Sequence, residues 1–256
     1  MFIDTHCHLH DSKFENTEEI VSNFVRDGVD IAIDMGVNAK TSEIGKGLAE
    51  QYDNVYFGAG YHPSDAADFN EENLDKIKSL LAHSKCVAVG EIGLDYYWKP
   101  FDKKKQIDAF IKQIELASEC CLPISIHCRE ATEDTLKILK QYRSKLTFGA
   151  VMHCFSGSKE TAKELLDLGI YISFAGPLTF KNGVKAREVA EYIPSEFLLT
   201  ETDSPYLSPE PLRGTRNEPK NVSLITACLA KIKGANIEEF SALILDNAKR
   251  LFNKIK

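Results

Sequence analysis

Short apolar runs rich in Val, Ile and Phe recur along the chain, separated by longer segments in which apolar residues return every three or four positions. The first pattern predicts strands and the second predicts amphipathic helices. Phe2-Ile3 open a short strand that runs into Asp4-Thr5-His6-Cys7-His8. Further strands are predicted at Ile31–Met35, Val55–Gly60, Cys86–Gly90, Pro123–Ile126, Phe148–Met152, Ile170–Phe174 and Phe197–Thr202. Helices are predicted over Glu18–Arg26, with Ile20, Val21, Phe24 and Val25 as the apolar stripe, and over Thr41–Tyr52, Asn70–His83, Lys103–Cys121 and Ala131–Tyr142. Three more follow at Lys159–Leu168, stopped by Gly169, at Val222–Ile232 and at Ile237–Phe252.

Strands buried on both faces read as nearly continuous apolar runs, as these do. Strands that alternate with helices call for a parallel sheet, and eight such units are the number that closes a (β/α)8 TIM barrel. The competing architecture is an open doubly wound sheet. It is weakened because no Gly-x-Gly-x-x-Gly turn follows the first strand.

Composition narrows the picture. A chain of 256 residues, 43% of them hydrophobic, can fill one barrel core, and no Ser/Gly-rich linker or low-complexity tract marks a boundary, so one domain over 1–256 is expected. The net charge of −7 argues against a non-specific polyanion binder with a broad basic surface. It leaves room for a nucleic-acid enzyme in which metals and a few arginines handle the phosphate. Seven cysteines without regular spacing, no signal segment and no apolar run of membrane-spanning length read as a cytoplasmic protein with reduced thiols and no membrane partner.

Candidate chemistry collects at the C-terminal ends of the predicted strands. Alternation along the first strand puts His6 and His8 on one face and Cys7 on the other. Glu91, His127, His153 and Asp203 stand at four later strand ends. In a barrel these ends share the face where active sites form. Six N/O donors converging there can hold one metal ion or two. With two, His6 and His8 bind one, His127 and His153 bind the other, and Glu91 bridges. Asp203 is placed to coordinate or to act as general base, and a divalent ion brings bound water near to ionising at neutral pH. The donor types admit Mg2+, Mn2+ or Zn2+. Cys7, Cys128 and Cys154 each follow a ligand histidine, so alternation turns all three away from the metals. His62 closes the third strand as a substrate contact or a rim residue. Arg129, Arg213 and Arg216 suit bidentate phosphate contacts, with pairing to Glu218 or Glu210 the other reading for Arg216. Tyr97 and Trp98 suit stacking on unpaired bases, whereas Tyr96 reads as packing under its loop. Duplex DNA hides its bases, so such a site favours single strands or frayed ends.

His6-Cys7-His8, Val89-Gly90-Glu91-Ile92-Gly93-Leu94-Asp95-Tyr96-Tyr97, His127-Cys128-Arg129, His153-Cys154-Phe155-Ser156-Gly157 and Glu201-Thr202-Asp203-Ser204-Pro205-Tyr206-Leu207 closely resemble the TatD-type metal-dependent deoxyribonucleases, as does the loop Arg213–Pro219. The resemblance runs through the chain in order. It implies an amidohydrolase-like barrel and divalent-metal-dependent cleavage of DNA phosphodiesters, often from the 3′ end. It carries metal ligation onto the same six residues and substrate contacts onto His62, Arg129 and Arg213. The chain departs from the family pattern at Ser64, where a second histidine is common, and at His10, where an acidic residue is frequent. The alternatives are hydrolysis of a carbonyl bond, such as the ester of aminoacylated tRNA, and a non-catalytic metal-binding protein. Scattered His/Glu/Asp donors argue against the latter, since structural zinc sites usually close four ligands at short spacing.

Overall fold

The computed structural model describes residues 1–256. Its strands are β1 (Phe2–Cys7), β2 (Val29–Met35), β3 (Val55–Ala59), β4 (Cys86–Asp95), β5 (Ile124–Arg129), β6 (Ala150–Met152), β7 (Tyr171–Phe174) and β8 (Leu198–Thr200). The helices between them are α1 (Thr17–Ser22), α2 (Phe24–Asp27), α3 (Ala39–Gln51), α4 (Glu71–Leu81), α5 (Lys103–Glu119), α6 (Thr132–Gln141), α7 (Lys159–Asp167) and α8 (Val184–Tyr192). After β8 come α9 (Val222–Ile232) and α10 (Ile237–Leu251). All neighbouring strands are parallel, in the order β1 to β8. That consecutive order is the barrel order, and it removes the doubly wound alternative.

The first and last strands meet without a regular ladder. Two backbone bonds cross the seam just past β8, Asp203 N–H to the His6 carbonyl at 2.9 Å and His8 N–H to the Ser204 carbonyl at 2.8 Å. Side chains supply the rest. The buried Asp4 carboxylate accepts the Thr202 N–H at 2.8 Å and pairs with the Thr202 hydroxyl at 2.5 Å. Thr5 donates its hydroxyl to the Thr200 carbonyl at 3.0 Å. The barrel is therefore nearly closed, and its seam lies directly beneath three of the candidate ligands.

Apolar residues from all eight strands and from the inward helix faces form one contiguous core. Several helices carry side-chain caps, Asn38 on α3, Asn70 on α4, Asp102 on α5 and Ser158 on α7, each accepting a backbone N–H of the first turn. Two predicted elements need correction, and one helix lies outside the predicted set. The segment Glu18–Arg26 is two short helices that change phase at Asn23, which leaves Val25 86% exposed instead of in the stripe. Helix α8 has no counterpart in the predicted set, because its segment buries only Val189 and Ala190 and offers a weak stripe. Strand β4 runs on from Gly90 to Asp95, fully buried, with a register shift between Val89 and Ile92. Glu91 thus stands at an irregularity inside a long strand, a common device for re-aiming a side chain.

Candidate metal centre

Six donors meet at the C-terminal mouth of the barrel, and Glu91 stands at their centre. Its Oε1 lies 2.8 Å from His127 Nδ1 and 2.7 Å from His153 Nε2. Its Oε2 faces the other pair, 3.4 Å from His6 Nε2 and 3.7 Å from His8 Nε2. Asp203 Oδ1 adds to that second group, 3.3 Å from His8 Nε2 and 3.9 Å from His6 Nε2. Local structure holds these positions. Glu91 N–H donates to the Gly36 carbonyl at the end of β2 at 2.8 Å, and His153 N–H donates to the Ile126 carbonyl of β5. A side chain at Gly93 would put its Cβ 2.0 Å from the His127 carbonyl oxygen, so only glycine lets β4 approach β5 at this point.

The far nitrogen of each histidine is met by a different group. His8 Nδ1 contacts the Met35 carbonyl at 2.8 Å, which fixes a proton there and turns Nε2 towards Asp203. His127 Nε2 contacts Asp95 Oδ2 at 2.9 Å, leaving Nδ1 towards Glu91. His153 Nδ1 lies 3.3 Å from Glu201 Oε1, and Ser125 Oγ approaches His6 Nδ1 at 3.4 Å. An outer shell that orients imidazoles in this way is the usual surround of a metal site. His6 Nε2 itself is buried and makes no hydrogen bond. A buried bare nitrogen facing two carboxylates fits an ion better than it fits the protein alone. The residues present therefore suit divalent metal.

The electrostatics agree with that fit. Burial opposes charge on Glu91, but the surrounding histidines outweigh it and hold its pKa well below the usual carboxylate range. Burial likewise opposes charge on His8 and His153. Contact with Asp203 lifts His8 to about 9, and Glu91 and Glu201 lift His153 well above the ordinary value. Asp203, burdened by burial but paired with His8, sits below its ordinary value and is ionised. Positive charge is thus favoured at His8 and His153, whereas burial and then the neighbouring His153 lower His6.

Two residues of this surround, Asp95 and Glu201, were not assigned roles from sequence. The one signal for Glu201 in the sequence is its place two residues before Asp203 at the end of the predicted strand Phe197–Thr202. Asp95 was hidden because the predicted fourth strand stopped at Gly90. Asp95 also accepts the backbone N–H groups of Tyr97 and Trp98, at 2.9 and 3.2 Å, and so links the metal site to the aromatic loop.

The expected substrate contacts fall in different places. His62 lies inside, with Nε2 3.6 Å from Glu91 Oε1. Burial, then the neighbouring His127, push it down to about 3. Ser64 N–H donates to His62 Nδ1 at 3.1 Å, so the imidazole proton sits on Nε2 and points at the cavity. The departure at Ser64 adds a hydroxyl 2.7 Å from the same nitrogen. Arg129 borders the cavity, with its guanidinium 3.8 Å from the Tyr97 ring centre and 5.3 Å from that of Trp98. Trp98 lines the cavity, whereas Tyr97 is outside the lining and meets Trp98 edge to face at 4.9 Å. Arg213 lies outside the wall, 4.2 Å over the Phe180 ring. Arg216 pairs with Glu218 at 3.1 Å, and Tyr96 stacks on Phe101 beneath the loop.

The thiols divide. Cys7 is fully buried with Sγ towards the Ile33 carbonyl, away from the donors. Cys128 borders the cavity but directs its Sγ to the Thr132 hydroxyl at the start of α6, 4.0 Å away, whereas Cys154, expected to turn away, borders the cavity beside the carboxylates. For Cys154 the reason is local. β6 has ended at Met152, and Cys154 has φ 45°, so strand alternation no longer sets its direction. Its N–H donates to Glu201 Oε1 at 2.6 Å.

The barrel and its mixed histidine and carboxylate donors define a metal-dependent hydrolase. Residues 3–253 match the sequence profile of the family described as TatD related DNase. The chain is 44% identical over 253 residues to an uncharacterized metal-dependent hydrolase, YabD, of Bacillus subtilis (strain 168), covering 98% of this chain and 99% of that one. It is 34% identical to a protein of Citrobacter koseri named 3′-5′ ssDNA/RNA exonuclease TatD, with 97% and 98% covered. Among solved structures, the TatD homologue YJJV of Escherichia coli K12 superposes with a TM-score of 0.93 at 30% identity, covering 98% of each chain. The chain belongs to the TatD-related family and is a metal-dependent hydrolase of ester bonds.

Proposed function

We infer that the protein is a deoxyribonuclease that hydrolyses phosphodiester bonds in single-stranded or frayed DNA, working from the 3′ end with two divalent ions. The observation that carries this reading is the way Glu91 divides its oxygens, Oε1 to His127 and His153 and Oε2 to His6 and His8. One carboxylate between two separate donor groups suits a bridge between two ions, the arrangement that clamps a phosphoryl centre. The exonuclease name of the Citrobacter koseri relative supports the substrate class.

Divalent ions held by His6, His8, Glu91, His127, His153 and Asp203 would supply an activated water and positive charge against the phosphate. The chain's own groups do the rest. Asp203, ionised and beside the His6–His8 pair, accepts the proton of the attacking water. His62 offers an N–H towards the cavity beside Glu91, placed to bond a phosphate oxygen. Arg129, braced against Tyr97, presents a fixed cation at the rim. Trp98, 62% exposed beside it, offers a stacking face to an unpaired base.

The test is metal-reconstituted protein incubated with labelled single-stranded DNA, duplex DNA, RNA and aminoacylated tRNA, with products resolved. Mononucleotides released in order from the 3′ end of single strands are expected. Rapid release of amino acid from tRNA with every phosphodiester intact would overturn the reading.

A further inference from the structure

The cavity at the barrel mouth, about 800 Å³, has two unlike sides. One is the donor cluster. The other is an apolar wall of Phe155, Phe174, Pro177, Leu178 and Leu207, drawn from the ends of β6, β7 and β8. None of these five side chains carries a hydrogen-bonding group, and Ser156 and Tyr206 stand at their edges in the same lining.

The wall is fixed in place. Phe155 and Phe174 meet edge to face at 88°, with centroids 6.3 Å apart. The segments after β7 and β8 touch so closely that a Cβ on Gly176 would lie 1.7 Å from the Leu207 carbonyl oxygen. Glu210 N–H donates to Thr179 Oγ1 across the same junction at 2.8 Å. Arg187 donates to the Leu178 and Phe180 carbonyls at 3.0 and 2.6 Å, which holds the turn from behind. Such a surface is ready for a rigid ligand before the ligand arrives.

We propose that this wall seats the base of the terminal nucleotide while its phosphodiester lies on the Glu91 cluster. The inference rests on the phosphodiesterase reading and names how that site grips its substrate. Chain proximity ties the two sides together, since His153 and Phe155 are two residues apart and Asp203 and Leu207 four. A single nucleotide, with an anionic group at one end and a flat apolar ring at the other, matches that division. The cavity volume lies in the range of pockets that enclose one small ligand. The five apolar side chains cannot read a base edge, so they hold all four bases alike, by contact area and dispersion. They do require that a base be present. Trp98, on the opposite rim beside Arg129, is left for the next base along the strand.

The test uses manganese-loaded protein and single-stranded oligonucleotides ending in each of the four nucleotides or in an abasic tetrahydrofuran residue. The four normal ends should be removed at rates within about threefold of one another, and the abasic end roughly tenfold more slowly, as expected for losing one stacked base. Leu207 sits at the open edge of the wall, 37% exposed, so its truncation spares the core. Leu207→Ala should slow normal ends more than abasic ends and so narrow that ratio. An abasic end removed as fast as a normal one, or equal slowing of both by Leu207→Ala, would overturn the wall assignment alone. No cleavage of any oligonucleotide by the loaded protein would overturn the phosphodiesterase reading and this inference with it.

Discussion

Asp95 and Glu201 hold no ion in the proposed site, yet each touches a histidine that does. Outer carboxylates of this kind typically change metal affinity or activity about ten- to a hundredfold when removed. Asp95→Asn should therefore weaken binding at the His127 side by about that factor while the fold survives, which a competition titration with a coloured chelator will show. Unchanged affinity would mean that the contact at 2.9 Å only ties down the Tyr97–Trp98 loop. The raised histidines carry a pH dependence of their own. A metal ligand must shed its proton, and His8 holds one up to about 9, with His153 also raised. Ion affinity should then climb as pH rises towards about 9 and fall as pH drops below it, with protons released on binding. Affinity that stays flat between weakly acidic and weakly basic solution would contradict the assignment of His8 as a ligand.

At the scale of elements, the seam between β8 and β1 is the vulnerable join. Thr202 bonds the buried Asp4 carboxylate through both its N–H and its hydroxyl, and the same hydroxyl accepts the Ser204 N–H at 3.1 Å. Thr202→Val keeps the shape and removes the hydroxyl, which should cost about 2 kcal/mol in urea denaturation of the metal-free protein, the loss for buried hydrogen bonds left unmade. A cost near zero would show that the hydroxyl adds nothing to the seam bonds made by the backbone and by Thr5. Which parts of this architecture were readable from sequence follows from the same contacts. The barrel, and the gathering of His6, His8, Glu91, His127, His153 and Asp203 at one mouth, were legible because continuous apolar runs ended in those residues. What strand alternation could not convey was anything past a strand end. Cys154 lies two residues beyond β6 with φ 45° and turns to the cavity against expectation. Asp95 was concealed because Gly90 and Gly93 interrupt the apolar run of β4, whereas the structure uses them for close strand packing. The break at Asn23 lies between two stretches that each look helical, and no apolar count reveals the change of phase.

For the molecule as a whole, a net charge of −7 offers no long-range attraction to a polyanion, so affinity must come from the cavity and its rim. Trp98→Ala should raise KM for single-stranded DNA about tenfold, with kcat and metal content little changed, since one exposed stacking face is lost. A fall in kcat with unchanged KM would place Trp98 in support of Asp95 instead. Arg213 stands over Phe180 outside the cavity, so Arg213→Ala should weaken cleavage of long oligonucleotides and spare the shortest, and equal loss on both would return Arg213 to the phosphate at the metals. All of these expectations hang on Glu91 standing between two ions. Anomalous diffraction at the manganese edge from soaked crystals tests that directly. The expected map has two peaks, one within bonding distance of His6, His8 and Asp203 and one within bonding distance of His127 and His153, with one Glu91 oxygen on each. A single peak, or two peaks that leave Glu91 unbound, would contradict the bridged centre.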